Sequence, residues 1–592
     1  MQSGVRPRPS PGPIYPSDTQ PTVKPSRALR LAPWGCAAAV LALALWAFTF
    51  RLGAFPFLDD PNEGQYAEVA REMIETGNWL SPQLNYVLFL NKPPLSYWAI
   101  AVSYFLFGID EAAARLPSAM AAWLIVALVL WWGWKNGGPW VGCLAAGTLF
   151  SMGGFFVESH EVRPDLWLTL GLAGALFCLQ FLLDPERREW RWGDPALLGW
   201  QVATAIGLLA KGMVGVLVSG AAILAVVAFT GRWRTAAQFL HPRAWWLLAL
   251  IMLPWHVAMS IRHEGFLWDY VVNQHLLFFF DRKFPRDSEP ISLPMFWAAF
   301  AMRCYPWTPL APLAVAYALW RLRQGRAGHE TVLLLAATGA VLALFSMASS
   351  RLEHYSLPAL PMLALLLAPL FFAPLKDKER PWRVLITVHL AFLLLVQLNA
   401  LWVVPRLIRE EDWLAPPDAF VRLALQVFSL LSIASVAALV LWLRRSVLSA
   451  FPIVAAFACV VPLFCAGLTH MAPNNSVVPL LDAVRPSLRP DTEVVYEAPV
   501  EYQTVASINF YLRRKIHVLG PEDFVPPTYL VPYVDRLFLD RTQLERWWQE
   551  RDVVLITDPL TPRDSLEGLV PGPFEVLARD RTRWAMSNLR HR

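Results

Sequence analysis

The chain has 592 residues, of which 56% are hydrophobic and only 16% are charged. A soluble protein of this length would carry charge on nearer a quarter of its residues, so the composition excludes an ordinary soluble enzyme. The net charge of +5 is small, and the basic residues cluster in short loops between apolar runs; this pattern sets membrane orientation and argues against nucleic-acid binding. Apolar runs of about 20 residues, the length that crosses hydrocarbon, predict a polytopic α-helical membrane protein.

The first 28 residues are rich in Pro, Ser and Arg and show no apolar periodicity. Such a composition cannot bury a core, so a disordered tail is predicted there. The basic residues of the tail place it in the cytoplasm by the positive-inside rule, and no convincing signal-peptide cleavage site follows the first apolar run. The first span, at about 31–50, is therefore expected to carry the chain outward.

The number of spans depends on one short apolar segment, 95–108. If it does not cross, every strongly basic turn falls on the cytoplasmic side, and if it crosses, all of these turns fall outside. The positive-inside rule therefore predicts about thirteen spans, with 95–108 re-entrant or lying in the interface. The candidates after the first span are 116–134, 138–157, 165–184, 197–212, 213–230, 244–262, 296–320, 331–348, 356–374, 383–403, 419–442 and 450–470.

The character of the chain changes after about residue 472. Glu493–Tyr496, Ile516–Leu519 and Val553–Ile556 are short apolar runs typical of buried strands, and 540–551 has a helical pattern with an aspartate as its cap. Alternating strands and helices predict a small α/β domain. The predicted divisions are a cytoplasmic tail at 1–28, a membrane domain at 29–471 with a first outer loop at 52–115, and an extracytoplasmic domain at 472–592.

A polar stretch, Leu58–Trp98, lies between apolar segments and is predicted to face the water-filled side of a membrane active site. Asp60 before Pro61 is a favourable helix start, and Glu63 completes the spacing of a capping box. The apolar stripe that follows predicts a helix lying on the membrane surface. A carboxylate that faces a low-dielectric cavity has a raised pKa and can act as a general base.

Ionisable residues at the membrane edge are candidates for function because an unpaired charge in hydrocarbon is costly. Asp165 begins an apolar span, and Lys211 lies where two spans meet. Glu63 and Asp165 are the carboxylates that suit general-base catalysis on this reasoning, although helix capping would also explain them. Four cations at the outer boundary either snorkel to the interface or bind a lipid phosphate: Lys92, Lys211, Arg282 and Arg351.

Metal binding is left open by the sequence. His256, His263 and His275 occur near Glu264 and Asp269, but no pair has the i, i+4 spacing of a zinc helix. The six cysteines lie in or beside apolar runs at no metal-ligand spacing, which predicts small core residues. No cofactor is predicted from these patterns, and a divalent metal stays an open alternative.

Several short motifs follow one another in order along the chain: Asn62-Glu63-Gly64-Gln65-Tyr66-Ala67-Glu68, Lys92-Pro93-Pro94-Leu95, Arg163-Pro164-Asp165, Lys211-Gly212, Pro306-Trp307 and Tyr355-Ser356-Leu357-Pro358. Over about residues 30–370 the chain resembles the superfamily of membrane glycosyltransferases that contains the aminoarabinose transferases and the protein mannosyltransferases. The C-terminal domain is similar to that of the bacterial aminoarabinose transferases. The resemblance implies a GT-C-like helical fold in the bacterial cytoplasmic membrane.

The resemblance also implies a polyprenyl-phosphate-linked sugar as donor and a membrane-associated acceptor on the outer face, as in lipid A modification or protein glycosylation of the cell envelope. It implies that cations hold the donor phosphate, that an acidic residue of the first outer loop orients or deprotonates the acceptor, and that the sugar is transferred with inversion. The predicted catalytic residues are Glu63, Asp60 and Asp165. The predicted substrate-binding residues are Asn62, Tyr66, Lys92, Lys211, His275, Arg282, Arg351 and Tyr355.

Two positions depart from the family pattern. Asn62 stands where the family has Asp, so Glu63 or Asp60 must supply the carboxylate. Asn91 stands where the aminoarabinose branch has Glu, which argues against a metal site and against lipid A as the acceptor. Two alternatives stay open: a transporter or flippase for lipid-linked saccharides, although the sequence shows no internal symmetry, and a non-catalytic binder of lipid-linked sugars.

Overall fold

The computed structural model describes residues 27–58, 62–187, 189–284, 289–372, 379–411, 414, 416–498, 502–520, 531–557, 570, 572–580 and 583–588. Within these residues a helical part is followed by a C-terminal part built on a β-sheet. Eight of the described helices are long and apolar enough to cross a membrane, or nine if one bent helix pair forms a single span. The chain is a multi-pass membrane protein with a helical fold.

The helical part also contains a short hairpin, β1 (Gln83–Leu84) and β2 (Val87–Leu88), and a π-helical turn at Trp268–Leu277. Its helices are α1 (Arg27–Thr49), α2 (Asn62–Thr76), α3 (Leu95–Phe107), α4 (Glu111–Gly137), α5 (Pro139–Phe150), α6 (Gly153–Ser159), α7 (Asp165–Leu182), α8 (Pro195–Lys211), α9 (Val214–Thr230), α10 (Trp233–Ala237), α11 (Trp246–Arg262), α12 (Leu293–Cys304), α13 (Ala311–Arg323), α14 (His329–Met347), α15 (Leu360–Leu367), α16 (Arg380–Glu410), α17 (Pro417–Leu443) and α18 (Phe451–Asn475).

The predicted number of about thirteen spans is not confirmed. Helices α8, α9 and α11 have 17 residues each, which is short of the ~20 residues that cross hydrocarbon without adjustment. The predicted span 138–157 is broken into α5 and α6, with a bend of 68°. The predicted span 296–320 is divided between α12 and α13, on either side of Pro306. An average of hydropathy along the sequence detects the apolar length of such a segment but does not detect a break within it.

The C-terminal part confirms the predicted small α/β domain. Its elements are α19 (Val478–Val484), β3 (Glu493–Glu497), α20 (Ala506–Leu512), β4 (His517–Leu519), α21 (Val534–Leu537), β5 (Phe538–Leu539), α22 (Arg541–Glu550), β6 (Val553–Ile556), β7 (Glu575–Arg579) and β8 (Trp584–Ser587). The strands form one sheet in the order β5-β4-β3-β6-β8-β7. Strands β5, β4, β3 and β6 are parallel to one another, whereas β8 and β7 are added antiparallel at one edge.

The C-terminal domain packs against α2 and the β1–β2 hairpin. The Asn85 side chain donates to the carbonyl of Ile516 at 2.6 Å and accepts from the Ile516 N–H at 3.0 Å and the Asn509 amide at 2.8 Å. Gly64 on α2 is so close to α20 that an added Cβ would lie 2.7 Å from the backbone nitrogen of Ser507. Because only glycine permits this approach, the start of α2 is positioned directly by the C-terminal domain.

Candidate active site

A polar cavity lies at the end of the helical part that meets the C-terminal domain. Helices α2, α7 and α8, the segment after α14 and one residue of the C-terminal domain contribute to its wall. The structure therefore brings together residues that are far apart in the sequence. The predicted site residues that line this cavity are Asn62, Tyr66, Lys92, Asp165, Lys211 and Tyr355.

An ion pair between Asp165 and Lys211 lies in the cavity wall. Asp165 is the first residue of α7 and Lys211 the last of α8, where Gly212 ends the helix with a φ of 84°. The Lys211 ammonium donates to Asp165 Oδ1 at 2.6 Å and lies 4.3 Å from the centre of the Tyr355 ring. This arrangement holds a cation and a carboxylate side by side against an aromatic face.

His354 lies on the other side of the Asp165 carboxylate. Its Nδ1 accepts a hydrogen bond from Arg163 NH1 at 2.7 Å, and its Nε2 lies 3.9 Å from Asp165 Oδ2. Because Nδ1 is occupied as an acceptor, the neutral ring carries its proton on Nε2, directed toward Asp165. Lys211 therefore holds Oδ1 of the carboxylate by a hydrogen bond, while the His354 ring lies near Oδ2 without bonding to it.

Asn91 organises a second group of cations. Its side-chain oxygen accepts from the Lys92 ammonium at 2.9 Å and from the Lys283 ammonium at 3.3 Å, and both ammonium groups lie within 6.0 Å of the Phe278 ring centre. Its amide nitrogen donates to Gln503 Oε1 at 3.4 Å. A neutral amide orients the two lysines without adding a negative charge, so this wall of the cavity is suited to an anion.

An apolar cavity adjoins the polar one. Its wall is formed mainly by apolar side chains of α9, of the π-helical turn and of α14. The two cavities share the following lining residues: Asn91, Lys92, Lys211, Phe278 and Tyr355. Two lysines and a tyrosine thus lie at the junction between a polar and an apolar compartment.

Glu63 does not line either cavity. Its two oxygens accept from Arg115 Nε at 2.8 Å and Arg115 NH2 at 3.0 Å, and Oε2 also accepts from the backbone N–H of Leu58 at 3.1 Å. Arg115 NH1 donates to the carbonyls of Leu52 and Phe55, and the side chains of Arg115 and Glu63 are 0% and 2% exposed. This buried, bidentate pair joins α2 to α4.

The remaining predicted residues have other surroundings. His275 lines the apolar cavity, with its Nε2 3.4 Å from the backbone nitrogen of Met213. Arg282 is exposed and lines neither cavity, whereas its neighbour Lys283 contacts Asn91. Arg351 donates to the backbone carbonyls of Ile291 and Ser346, and Asp60 lies outside the described residues.

Within the described part of the chain, no three or more His, Cys, Asp or Glu side chains are grouped to hold a metal ion.

Comparisons with known proteins give these residues a context. The family model of dolichyl-phosphate-mannose-protein mannosyltransferases matches residues 60–268. The chain is 32% identical over 317 residues to the undecaprenyl phosphate-α-4-amino-4-deoxy-L-arabinose arabinosyl transferase 1 of Sodalis glossinidius, and 30% identical over 333 residues to the corresponding transferase of Aeromonas salmonicida. Over this part of its length the chain is similar to these transferases.

The similarity in sequence covers a shorter part of the chain than the similarity in fold. The sequence match covers 52% of this chain and 54% of the Sodalis protein, so the chain spans about half the length of the curated relatives it matches. The crystal structure of ArnT from Cupriavidus metallidurans bound to undecaprenyl phosphate superposes with a TM-score of 0.78 at 21% identity, covering 94% of this chain and 98% of that one. Its apo state gives a TM-score of 0.75. The similarity of fold therefore extends through the C-terminal domain of this chain.

Five polar lining residues were not among the predicted site residues: Gln65, Asn91, Arg163, His354 and Gln503. The first four lie within or beside the short motifs identified in the sequence, so their neighbours gave a signal for them. Gln503 lies 412 residues after its hydrogen-bond partner Asn91 and belongs to no motif in the sequence. Only the packing of the C-terminal domain on α2 reveals that it reaches the cavity.

Proposed function

We propose that this protein is an integral-membrane glycosyltransferase that moves a sugar from a polyprenyl-phosphate donor to a lipid, glycan or protein acceptor. The observation that carries the proposal is the position of Lys92 and Lys211 at the junction of the polar and apolar cavities. A polyprenyl-phosphate sugar has an apolar chain, a phosphate and a polar sugar in the same order as the apolar cavity, the lysines and the polar cavity. The substrate named for the curated arabinosyl transferases, and the undecaprenyl phosphate bound to ArnT, support this assignment.

In the proposed reaction the acceptor oxygen or nitrogen attacks C1 of the sugar. The bond between C1 and the phosphate oxygen breaks, and polyprenyl phosphate leaves with the electron pair, while the ammonium groups of Lys92 and Lys211 stabilise its charge. Asp165, which lies between Lys211 and His354, accepts the proton of the attacking group or aligns it. Attack from the face opposite the phosphate inverts C1.

The proposed location is the bacterial cytoplasmic membrane, with the N-terminus in the cytoplasm and the C-terminal domain on the outer face. The basic turns between apolar segments support this orientation through the positive-inside rule. The divisions proposed for the chain are a tail at 1–28, a membrane domain at 29–471 and a C-terminal domain at 472–592. In this orientation the polar cavity opens to the outer face, where an acceptor of the cell envelope would approach.

The test is sugar transfer by the purified protein in lipid nanodiscs. Radiolabelled sugars linked to undecaprenyl phosphate serve as donors and a bacterial membrane extract supplies acceptors. The wild type is compared with Asp165→Asn and with Asp482→Asn, an exposed aspartate in the C-terminal domain that serves as a matched control. We expect transfer by the wild type and by the control but not by Asp165→Asn, with donor binding retained by all three. Donor binding without transfer by the wild type would contradict the proposal in favour of a flippase or a non-catalytic binder.

A further inference from the structure

Two glutamines with unsatisfied amide groups line the polar cavity from different parts of the molecule. Gln65 comes from α2 and Gln503 from the C-terminal domain, and they are 5% and 6% exposed. Gln65 Oε1 is buried and has no hydrogen-bond partner among the described residues. Burying such a group without a partner costs free energy, so its presence in a cavity wall points to a partner that arrives with a ligand.

The contacts of Asn91 determine which way the Gln503 amide is oriented. The Asn91 oxygen accepts from the ammonium groups of Lys92 and Lys283, so its nitrogen is the atom that donates to Gln503 Oε1. Gln503 therefore uses its oxygen toward Asn91 and leaves both N–H donors of Nε2 without a protein partner in the described part of the chain. Through Asn91, Gln503 is linked to Lys92 at the cavity junction.

One available acceptor on Gln65 and one available donor group on Gln503 match the chemistry of hydroxyl groups. A hydroxyl both donates and accepts, and a neutral amide binds it without adding charge near the lysines. In a lipid-linked donor the sugar is bonded directly to the phosphate. If Lys92 holds the phosphate, the sugar lies within a few bond lengths of Asn91 and its neighbour Gln503.

We propose that Gln65 and Gln503 form a subsite for the hydroxyl groups of the donor sugar, so that the C-terminal domain takes a direct part in choosing the sugar. The inference rests on the proposed function for the nature of the donor. Gln503 is a specificity-determining residue in this proposal, and Asn91 is a positioning residue that couples its amide to the phosphate-binding lysines. The tail and phosphate of the donor are bound elsewhere, by the apolar cavity and its junction.

The test separates binding of the sugar from binding of the lipid phosphate. Dissociation constants are measured for the full chain in nanodiscs with undecaprenyl phosphate alone and with undecaprenyl phosphate carrying glucose, mannose or 4-amino-4-deoxy-L-arabinose. The variants are Gln65→Ala, Gln503→Ala and Gln503→Glu, with Gln549→Ala on the exposed face of α22 as the matched control. Gln503→Glu keeps the oxygen that Asn91 contacts and removes the two N–H donors.

The sugar-bearing donor that the wild type binds most tightly should bind the Gln65 and Gln503 variants about three- to tenfold more weakly. A loss of affinity of this size corresponds to one or two hydrogen bonds. Undecaprenyl phosphate alone should bind Gln65→Ala and Gln503→Ala as it binds the wild type, and the control should match the wild type throughout. Gln503→Glu adds a negative charge near the lysines, so it is judged by the ratio of its affinities for the sugar-bearing donor and for undecaprenyl phosphate, which should still fall. Thermal melting of each variant in the same nanodiscs checks that the C-terminal domain is still packed.

Two results would overturn the subsite. An equal loss for undecaprenyl phosphate and for the sugar-bearing donors would mean that Gln503 acts only through Asn91 on the lysines. Unchanged binding in both Gln503 variants would mean that no sugar group reaches this wall. Failure of the proposed function would give a different result. A wild type that binds the sugar through Gln503 but never transfers it would support the subsite and contradict the glycosyltransferase activity.

Discussion

Glu63 and Asp165, the two carboxylates that the sequence singles out most clearly, occupy contrasting sites. Both are almost fully buried and both are paired with a cation. Arg115 engages both oxygens of Glu63 away from the polar and apolar cavities described above, whereas Lys211 engages one oxygen of Asp165 in the wall of the polar cavity. Burial and charge are therefore the same, and the number and position of the donors decide which carboxylate is available to a ligand.

The most severe test of this contrast is Arg115→Ala. It leaves Glu63 as a buried charge without its partner, which costs about 3–5 kcal/mol of unfolding free energy, and it removes the donors to Leu52 and Phe55. We expect a correspondingly large loss of stability in chemical unfolding of the purified protein. Arg485→Ala, which removes an exposed ion pair with Asp482, is the control and should cost well under 1 kcal/mol. Equal losses would contradict a structural role for the Arg115 pair.

Asp165→Asn tests the carboxylate that lies in the wall of the polar cavity. The substitution keeps the shape of the side chain but removes the charge that accepts or aligns a proton, so transfer should fall about a hundred- to thousandfold, within the range for one acid–base group. The fall should appear in kcat. The melting temperature should fall as well, because Lys211 loses its ion-pair partner, so transfer is measured at a temperature at which the variant is still folded. Full activity would place Asp165 with Glu63 as a purely structural carboxylate.

Lys92→Met tests whether the cations at the junction bind an anion rather than stabilise the fold. A hydrogen bond to a charged group contributes about 1.5–3 kcal/mol, so undecaprenyl phosphate should bind at least about tenfold more weakly, with little change in stability. Lys135→Met, at the C-terminal end of α4 and beside Phe181, is the matched control. Retention of binding in Lys92→Met would remove the proposed phosphate site.

Glu72 extends the comparison to a third glutamate, on the same helix as Glu63. Burial and the neighbouring charge of Glu68 raise the pKa of Glu72 well above its usual value, although Arg71 and the backbone N–H of Tyr86 oppose the rise. A raised folded-state pKa stabilises the protein fully below the usual glutamate pKa, and this contribution is lost as the pH rises through the raised value. Each pKa unit corresponds to about 1.4 kcal/mol.

Glu72→Gln should therefore flatten the fall in melting temperature as the pH rises above the usual glutamate pKa. Glu75→Gln is the control, because the Glu75 side chain is 49% exposed and pairs with Arg71 at the helix surface. The same slope in the wild type and in Glu72→Gln would show that the buried proton is not on Glu72.

Much of the fold was predictable because its signals are local. Apolar runs predicted a helical membrane protein, and short strand patterns predicted the positions of β3, β4 and β6. The span count was not predictable, because the bend between α5 and α6 and the division at Pro306 depend on how neighbouring helices pack. Hydropathy averages over such breaks.

The candidate site was predictable where motif residues themselves lie at helix ends. Asp165 begins α7 and Lys211 ends α8, so the sequence already placed both at a membrane boundary. The partners of these motif residues were not predictable, because Arg115 meets Glu63 across 52 residues and Gln503 meets Asn91 across 412. Long-range packing decides which glutamate is paired with an arginine and which amide can bind a ligand.

The contribution of Gln503 to the cavity also makes the site depend on the order of synthesis. Translation adds about 5–20 residues per second, so the 412 residues between Asn91 and Gln503 take roughly 20 to 80 s to make. During that interval the membrane helices can insert while one wall of the polar cavity is still missing. A nascent chain that stalls before residue 503, or a mature chain clipped there by a protease, would keep its membrane helices without a complete cavity, which ties maturation of the site to the completion of the polypeptide.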